Sequence, residues 1–116
     1  MSDTADCLFC KFVAGEIQPD VVHETETTLA FRDINPQAPT HVLVIPKAHH
    51  RDIAAAAEAD PPVVADLFRT AKAVAEIDGL GEHYRTVQNT GADVGQSVFH
   101  VHVHVLGGRP MGWPPG

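Results

Sequence analysis

Cations are scarce in this 116-residue chain: eight lysines and arginines stand against fifteen aspartates and glutamates, for a formal net charge of −7. That balance excludes broad binding to a nucleic-acid backbone, which needs stripes of Lys and Arg to neutralise several phosphates. A small phosphorylated ligand held by neutral donors remains open. Long apolar runs are missing as well, and none approaches the ~20 residues that a membrane span needs. The opening MSDTADCLFC carries acids where a secretory leader would carry lysine or arginine, so a cytoplasmic protein is expected. Cysteine occurs only twice, as Cys7 and Cys10, and a structural disulfide is not expected in a reducing compartment. Internal repeats and low-complexity linkers are also absent. What is present, 44% apolar residues in a chain of this length, fits a single domain over residues 1–116 with one hydrophobic core.

The spacing of the two cysteines is C-x-x-C, which reads either as half of a zinc site or as a redox pair. A redox pair opens a helix just after a strand, and only six residues precede Cys7. Zinc is the better reading, provided two further ligands exist.

Apolar periodicity predicts a short helix over 7–14, with Leu8, Phe12 and Val13 turned inward, and a long one after Asp60-Pro61-Pro62. In the long helix Val64, Leu67, Phe68, Ala71, Val74 and Ala75 form the stripe. Asp60 is the expected N-cap, Pro61 the first turn and Gly79 the stop. The run AAAAEA at 54–59 reads as a short helix or a turn. Strands are expected at Val21–Glu24, Thr28–Asp33, His41–Pro46, Tyr84–Asn89 and Val98–Leu106, with turn chemistry in Asp33-Ile34-Asn35-Pro36 and Gln37-Ala38-Pro39. The fold class is α+β: a five-stranded antiparallel sheet with one long and one short helix.

Near the C-terminus FHVHVHVLGG sets His100, His102 and His104 at alternate positions. In a strand these share one face, and Phe99, Val101, Val103 and Val105 point to the core. At a rise of ~3.3 Å per residue, neighbouring histidines lie ~7 Å apart and the outer pair ~13 Å apart. Two nitrogens on one zinc, each ~2.0–2.1 Å from it, lie within about 4 Å of each other, so all three histidines cannot share a metal. At least one is free for other chemistry. A neutral imidazole is a good nucleophile and proton carrier, and a row of them suits attack by one ring and proton handling by its neighbour. The bland alternative is a solvated face, which three histidines in register opposite valines disfavour. Upstream, QNTGADVGQSV offers backbone N–H groups at Gly91 and Gly95 and the Ser97 hydroxyl. Such a loop can hold a phosphoryl group without lysine, and it lacks the G-K-[ST] of a P-loop.

The run His100-Val101-His102-Val103-His104-Val105-Leu106 matches the His-φ-His-φ-His-φ-φ signature of the histidine triad family. LAFRDINPQAPTHVLVIPKAH, GQSVFHVHVHVLGGR and the terminal MGWPPG further resemble its Hint branch, the histidine triad nucleotide-binding proteins, over roughly residues 6–116. The resemblance implies a homodimer in which two five-stranded sheets join into one of ten strands. It implies hydrolysis of purine nucleoside phosphoramidates (adenosine 5′-monophosphoramidates above all) at the P–N bond, with no cofactor required for catalysis. By matching position, His102 is the nucleophile that forms a nucleotidyl-histidine. His104 contacts the phosphate and assists leaving-group protonation, His100 orients the row, and His41 is a fourth histidine at the site. Asp33 receives the ribose hydroxyls. Asn89, Gly95, Gln96 and Ser97 hold the phosphate or leaving group, and Phe9, Ile17 and Ile34 form the slot for the base. Trp113 lies near the partner subunit's site.

Cys7 and Cys10 resemble bacterial relatives in which C-x-x-C joins two histidines on a structural zinc. The matching positions are His49 and His100, with His50 as the alternative to His49. Pro110 and Gly112 depart from the animal members and leave the leaving-group preference open. Two other readings stand beside this one: a nucleoside polyphosphate hydrolase of the same family, which should lack the Trp-Pro-Pro-Gly tail, and a non-catalytic purine-nucleotide-binding module.

Overall fold

Helix α1, Leu8–Ala14, begins where the Cys7 thiol accepts the backbone N–H of Cys10 at 3.3 Å, so the first sulfur of the C-x-x-C is the helix cap. It ends at Gly15, whose φ of 78° is a left-handed conformation that glycine adopts without strain. The computed structural model describes residues 6–116, so the first five residues of the expected domain lie outside the described residues. Strands β1 (Val21–Glu24), β2 (Thr28–Arg32) and β3 (Thr40–Pro46) follow, then helices α2 (Ile53–Ala59) and α3 (Pro61–Ile77), and finally β4 (Arg85–Val87) and β5 (Val103–Gly107). The strands form one antiparallel sheet in the order β1-β2-β3-β5-β4. No helix among the described residues is long and apolar enough to cross a membrane.

Every residue of central β3 is buried, because both faces of the sheet are covered. On one face Val42, Val44, Val103 and Val105 pack with Leu67, Ala71 and Val74 of α3. On the other, Leu43 and Ile45 pack with Phe9, Leu29 and Phe31 beneath α1. The alternation of one strand thus separates a structural core from the face that carries His41 and His104, since Leu43 lies opposite His104 in the β3–β5 register.

The 54–59 run forms a helix of its own, capped where the Asp52 carboxylate accepts the N–H of Ala55 at 2.9 Å. Asp60 does precede α3, but its side chain makes no capping bond; its carbonyl accepts the Val63 N–H instead. Three expected inward residues are corrected. Phe68 is 42% exposed because the buried stripe of α3 runs through Val63, Leu67, Thr70, Ala71, Val74 and Ala75, one residue behind it. Leu8 is 42% exposed because Phe9 takes the inward position of α1. Phe99 is 37% exposed and lies beneath the Arg51 guanidinium, 4.5 Å from the ring centroid.

The last correction has a backbone cause. Strand β5 was expected from residue 98 but starts at Val103. Before it the chain leaves β3: the Val101 N–H donates to the carbonyl of His50 at 2.8 Å, and His100 Nε2–H donates to the carbonyl of Pro46 at 2.8 Å. These bonds replace the ladder, and because both faces are covered His100, Val101, His102 and Val103 are all buried. Strand β4 is likewise shorter than expected, three residues paired with Leu106, Val105 and His104.

Candidate active site

Two clusters meet at the start of β5. In the first, Cys7, Cys10, His49 and His100 each turn one donor atom inward, and all four atoms lie within 4.8 Å of one another. His100 Nδ1 is 3.3 Å from the Cys7 sulfur, 3.4 Å from the Cys10 sulfur and 3.2 Å from His49 Nδ1, and Cys10 is 3.3 Å from His49 Nδ1. Tetrahedral zinc with ordinary bond lengths sets S···N at about 3.6 Å and N···N at about 3.3 Å, so the donor set fits such a cation. His100 Nε2–H is spent on the Pro46 carbonyl, which aims Nδ1 at the cluster. Burial pushes the Cys10 thiol up to about 11, with the Cys7 thiol adding to the rise. Burial also takes His100 down to about 4, which leaves its Nδ1 lone pair facing the point that the four donor atoms surround. Of the two histidines left open by the sequence, His49 joins the cluster. His50 supplies only its carbonyl, to Val101, and its buried Nε2 has no hydrogen-bond partner among the described residues.

The second cluster is a row of hydrogen-bonded rings. His102 Nδ1–H donates to the carbonyl of His100 at 2.9 Å, which leaves Nε2 of the neutral ring with a free lone pair. On the other side the Gln37 backbone N–H donates to His41 Nδ1 at 3.0 Å, so His41 carries its hydrogen on Nε2. That Nε2–H faces His104 Nδ1 at 2.9 Å, and His104 must then carry its own hydrogen on Nε2. Burial lowers His102 and takes His104 down to about 4, which keeps both rings neutral near neutral pH. Asp33 Oδ2 lies 3.5 Å from His41 Nε2, while Oδ1 accepts the Asn35 N–H at 2.8 Å. Although Asp33, His41 and His104 also sit close enough to ligate a cation, the 2.9 Å contact between the two rings is a hydrogen bond. The rings of His102 and His104 lean together to 5.1 Å between centroids, nearer than an ideal strand would hold them. A nitrogen lone pair and an N–H donor thus stand side by side, a pairing that suits attack and proton delivery at one centre.

Next to the row is an apolar pocket of about 300 Å³ lined by Phe9, Ile17, Phe31, Asp33, Ile34 and Leu43 among others. Phe9 joins it to the histidines, edge to face with His102 at 5.3 Å and with His100 at 5.9 Å between centroids. Ile34 stands fully exposed at its lip. Sequence reasoning named Phe9, Ile17, Asp33 and Ile34 but missed Phe31 and Leu43. The signal was available, because Phe31 is two residues from Asp33 and Leu43 two from His41, each along one strand face.

Strand β4 ends at Val87 opposite His104, so Asn89 follows on the side toward His102. Asn89 backs the turn at Gly95, where a side chain would start 3.5 Å from its Nδ2 and φ is +107°. Ser97 is exposed beyond it. Gln96 is buried and internally engaged: its Oε1 accepts the Gly91 N–H at 2.9 Å, and its Nε2 donates to the carbonyls of Arg51 and Val98 at 2.8 and 3.1 Å. Its side chain braces the loop and has no donor to spare for a ligand. Trp113 is 83% exposed and lines a separate cavity with Phe68, Arg85, Val87 and Val103.

The model of the HIT domain matches residues 14–111. An uncharacterized HIT-like protein of Synechocystis is 49% identical over 96% of this chain and 97% of its own. A 14 kDa zinc-binding protein of Zea mays is 49% identical over 98% of this chain and 91% of its own. The solved structure of a HIT family hydrolase from Legionella pneumophila superposes with a TM-score of 0.91 at 50% identity, covering 96% of this chain and all of that one. On this extent of similarity, with the histidine row in place, the chain belongs to the HIT domain family.

Proposed function

We propose that this protein is a hydrolase acting on purine nucleoside phosphoramidates, cleaving the P–N bond of adenosine 5′-monophosphoramidates through a nucleotidyl-His102 intermediate. The carrying observation is the pairing of His102 Nε2, freed by the bond from its Nδ1–H to the His100 carbonyl, with the Nε2–H of His104 beside it. The name of the Legionella relative, a hydrolase, supports the reaction class. In this reading the base enters the slot between Phe9, Ile17 and Ile34, and Asp33 accepts the ribose hydroxyls. His102 Nε2 attacks phosphorus as the P–N bond breaks. His104 Nε2–H donates a hydrogen bond to the departing nitrogen, and the amine takes its proton from water, since a neutral imidazole that gave up its only N–H would be left as an anion. Asn89 and Ser97 receive the phosphoryl oxygens, because the N–H groups expected to be free at Gly91 and Gly95 are spent inside the loop, on Gln96 Oε1 and the Ala92 carbonyl. Water then opens the P–N bond to His102, and the proton it releases restores the one taken up by the amine.

The Cys7, Cys10, His49 and His100 cluster is read as a structural zinc site, supported by its fit to a tetrahedral cation and by the zinc-binding name of the maize relative. Zinc bound there supplies a cross-link between α1 and the approach to β5 and enters no chemical step. The reading includes a homodimer in which two sheets join into one of ten strands, with Trp113 of the partner subunit beside the leaving group. The exposed Trp113 and Phe68 near edge strand β4 support a covered surface there.

The test is steady-state hydrolysis of adenosine 5′-monophosphoramidate and of a diadenosine polyphosphate by the wild type and His102→Ala. P–N cleavage that vanishes in the variant, with AMP binding retained, is expected. Preference for the polyphosphate would move the protein to the polyphosphate hydrolases, and AMP binding without turnover of either would make it a binding module.

A further inference from the structure

We infer that Arg109 is a positioning residue of this site, holding the 35–39 turn so that Gln37 keeps His41, and through it His104, in the tautomer with hydrogen on Nε2. The catalytic consequence rests on the reaction proposed above; the tautomer itself does not.

The chain leaves β5 through Gly107-Gly108-Arg109, where Gly107 lies against the Leu80 side chain and Gly108 against Pro39. A Cβ on Gly107 would start 2.6 Å from Leu80 Cδ1, and one on Gly108, where φ is +90°, would start 2.9 Å from Pro39 Cβ. The exit is thereby pressed against the turn that precedes β3. Arg109, the next residue, reaches back across it: Nε and Nη2 both donate to the carbonyl of Gln37, at 3.1 and 2.9 Å, and Nη1 donates to the carbonyl of Pro110 at 2.9 Å. Gln37 is also the residue whose N–H donates to His41 Nδ1.

The remaining bonds of the turn close it on itself. Gln37 Nε2 donates to the Asn35 carbonyl, Asn35 N–H to Asp33, and Asp33 N–H to the His41 carbonyl. Among the described residues, Arg109 is the side chain that ties this turn to the far end of β5. The consequence follows from imidazole chemistry. A neutral histidine places its hydrogen according to the bond its other nitrogen makes. With the Gln37 N–H on Nδ1, His41 must donate from Nε2, and His104 must present an N–H rather than a lone pair on the side away from His41. If Gln37 shifts so that the Pro36–Gln37 N–H swings away, His41 can carry its hydrogen on Nδ1, and its Nε2 then accepts from His104 Nδ1. The donor at His104 Nε2 is then lost, although every ring is still in place. Arg109 and Gln37 are both exposed, so water competes for the fork, and its removal should loosen the turn without unfolding the chain.

The experiment is 15N NMR of the imidazole nitrogens at neutral pH in the full chain as purified, for wild type, Arg109→Ala and Arg85→Ala. Arg85 pins the same tail further on, through the Gly112 carbonyl at 3.0 Å, and so controls for a loosened tail. Wild type and Arg85→Ala should show His41 and His104 as single Nε2–H tautomers, and Arg109→Ala should show mixtures at both. Turnover gives the second readout. With phosphoramidates of graded amine basicity, Arg109→Ala should lower kcat for the most basic amine about fivefold, the loss of one ordinary hydrogen bond. It should spare an activated leaving group that needs no proton. Unchanged tautomers in Arg109→Ala, equal mixing in Arg85→Ala, or an equal loss for both leaving groups would overturn the role of Arg109. A wild type that cleaves no phosphoramidate would instead overturn the proposed reaction, and the tautomer comparison would still decide Arg109.

Discussion

The backbone carbonyl of His100 accepts the Nδ1–H of His102 at 2.9 Å, and the ring of the same His100 closes the cluster with Cys7, Cys10 and His49. One residue therefore serves both clusters, its imidazole turned to the sulfurs and its peptide to the proposed nucleophile. The order of the cysteine cluster and the aim of His102 are mechanically linked.

Metal occupancy should accordingly appear as stability. A site filled at one hundred times its Kd contributes about 2.7 kcal/mol, and in a domain this size that is a rise of roughly 10 °C in Tm. Cys10→Ala should lose the metal and that increment. Metal analysis beside calorimetry, with and without a chelator, checks it; a melting temperature indifferent to both changes would remove zinc from the structure.

Gln96 is expected to matter through the loop rather than through a ligand. Gln96→Leu keeps the volume but strands the Gly91 N–H and the carbonyls of Arg51 and Val98. The cost should be about 1–3 kcal/mol, read as a lower urea midpoint. Turnover should fall with it, because Asn89 and Ser97 are carried by the same loop. Full stability in the variant would mean that water replaces all three bonds.

Acid should unlock the link between β2 and the end of α3. Asp78 accepts both Arg32 Nη atoms, at 2.7 and 2.9 Å, and the Thr40 hydroxyl at 2.7 Å. The Arg32 guanidinium, seconded by Thr40 and opposed by burial, holds the Asp78 carboxyl below its ordinary 3.8. A lowered carboxyl stabilises the fold above the unfolded-state value, and that contribution fades as pH falls through the lowered one. Asp78→Asn should be less stable by about 1 kcal/mol at pH 7, a modest figure because Arg32 is partly exposed. The gap should close toward pH 3. Urea titrations of both proteins across that range test the sign, and a gap that widens in acid would contradict it.

Ile34 offers a clean separation of binding from folding. It is fully exposed yet lines the pocket. Ile34→Ser should leave stability within about 0.5 kcal/mol. If the base covers it, nucleotide affinity should drop about tenfold, the worth of burying such a side chain. Calorimetric titration with AMP decides, and undiminished affinity would place the base elsewhere.

Much of this site was legible because it follows from short periods. Alternation placed the three histidines on the α1 side of the sheet, where Phe9 meets both His100 and His102. The three-and-four spacing of α3 located its core stripe, apart from Phe68. The C-x-x-C was legible from its spacing and its two histidines through family resemblance, and the choice between His49 and His50 was not. Those neighbours differ only in which way a loop turns.

By itself the sequence determined the inventory: which strands carry imidazoles, where the helices start and stop, and that apolar residues back the histidines. These depend on side-chain periodicity and local backbone preference, which act within a few residues. Tertiary structure alone decided the rest. Val101 leaves the sheet because His50 offers a carbonyl, and Phe99 consequently comes to the surface under Arg51. The hydrogen on each ring is set by Gln37 and His100 backbone groups, and Arg109 meets Gln37 across 72 positions of chain. Each of these bonds has at one end a backbone group of a kind common to nearly every residue, so nothing in the local sequence marks which of them will be met.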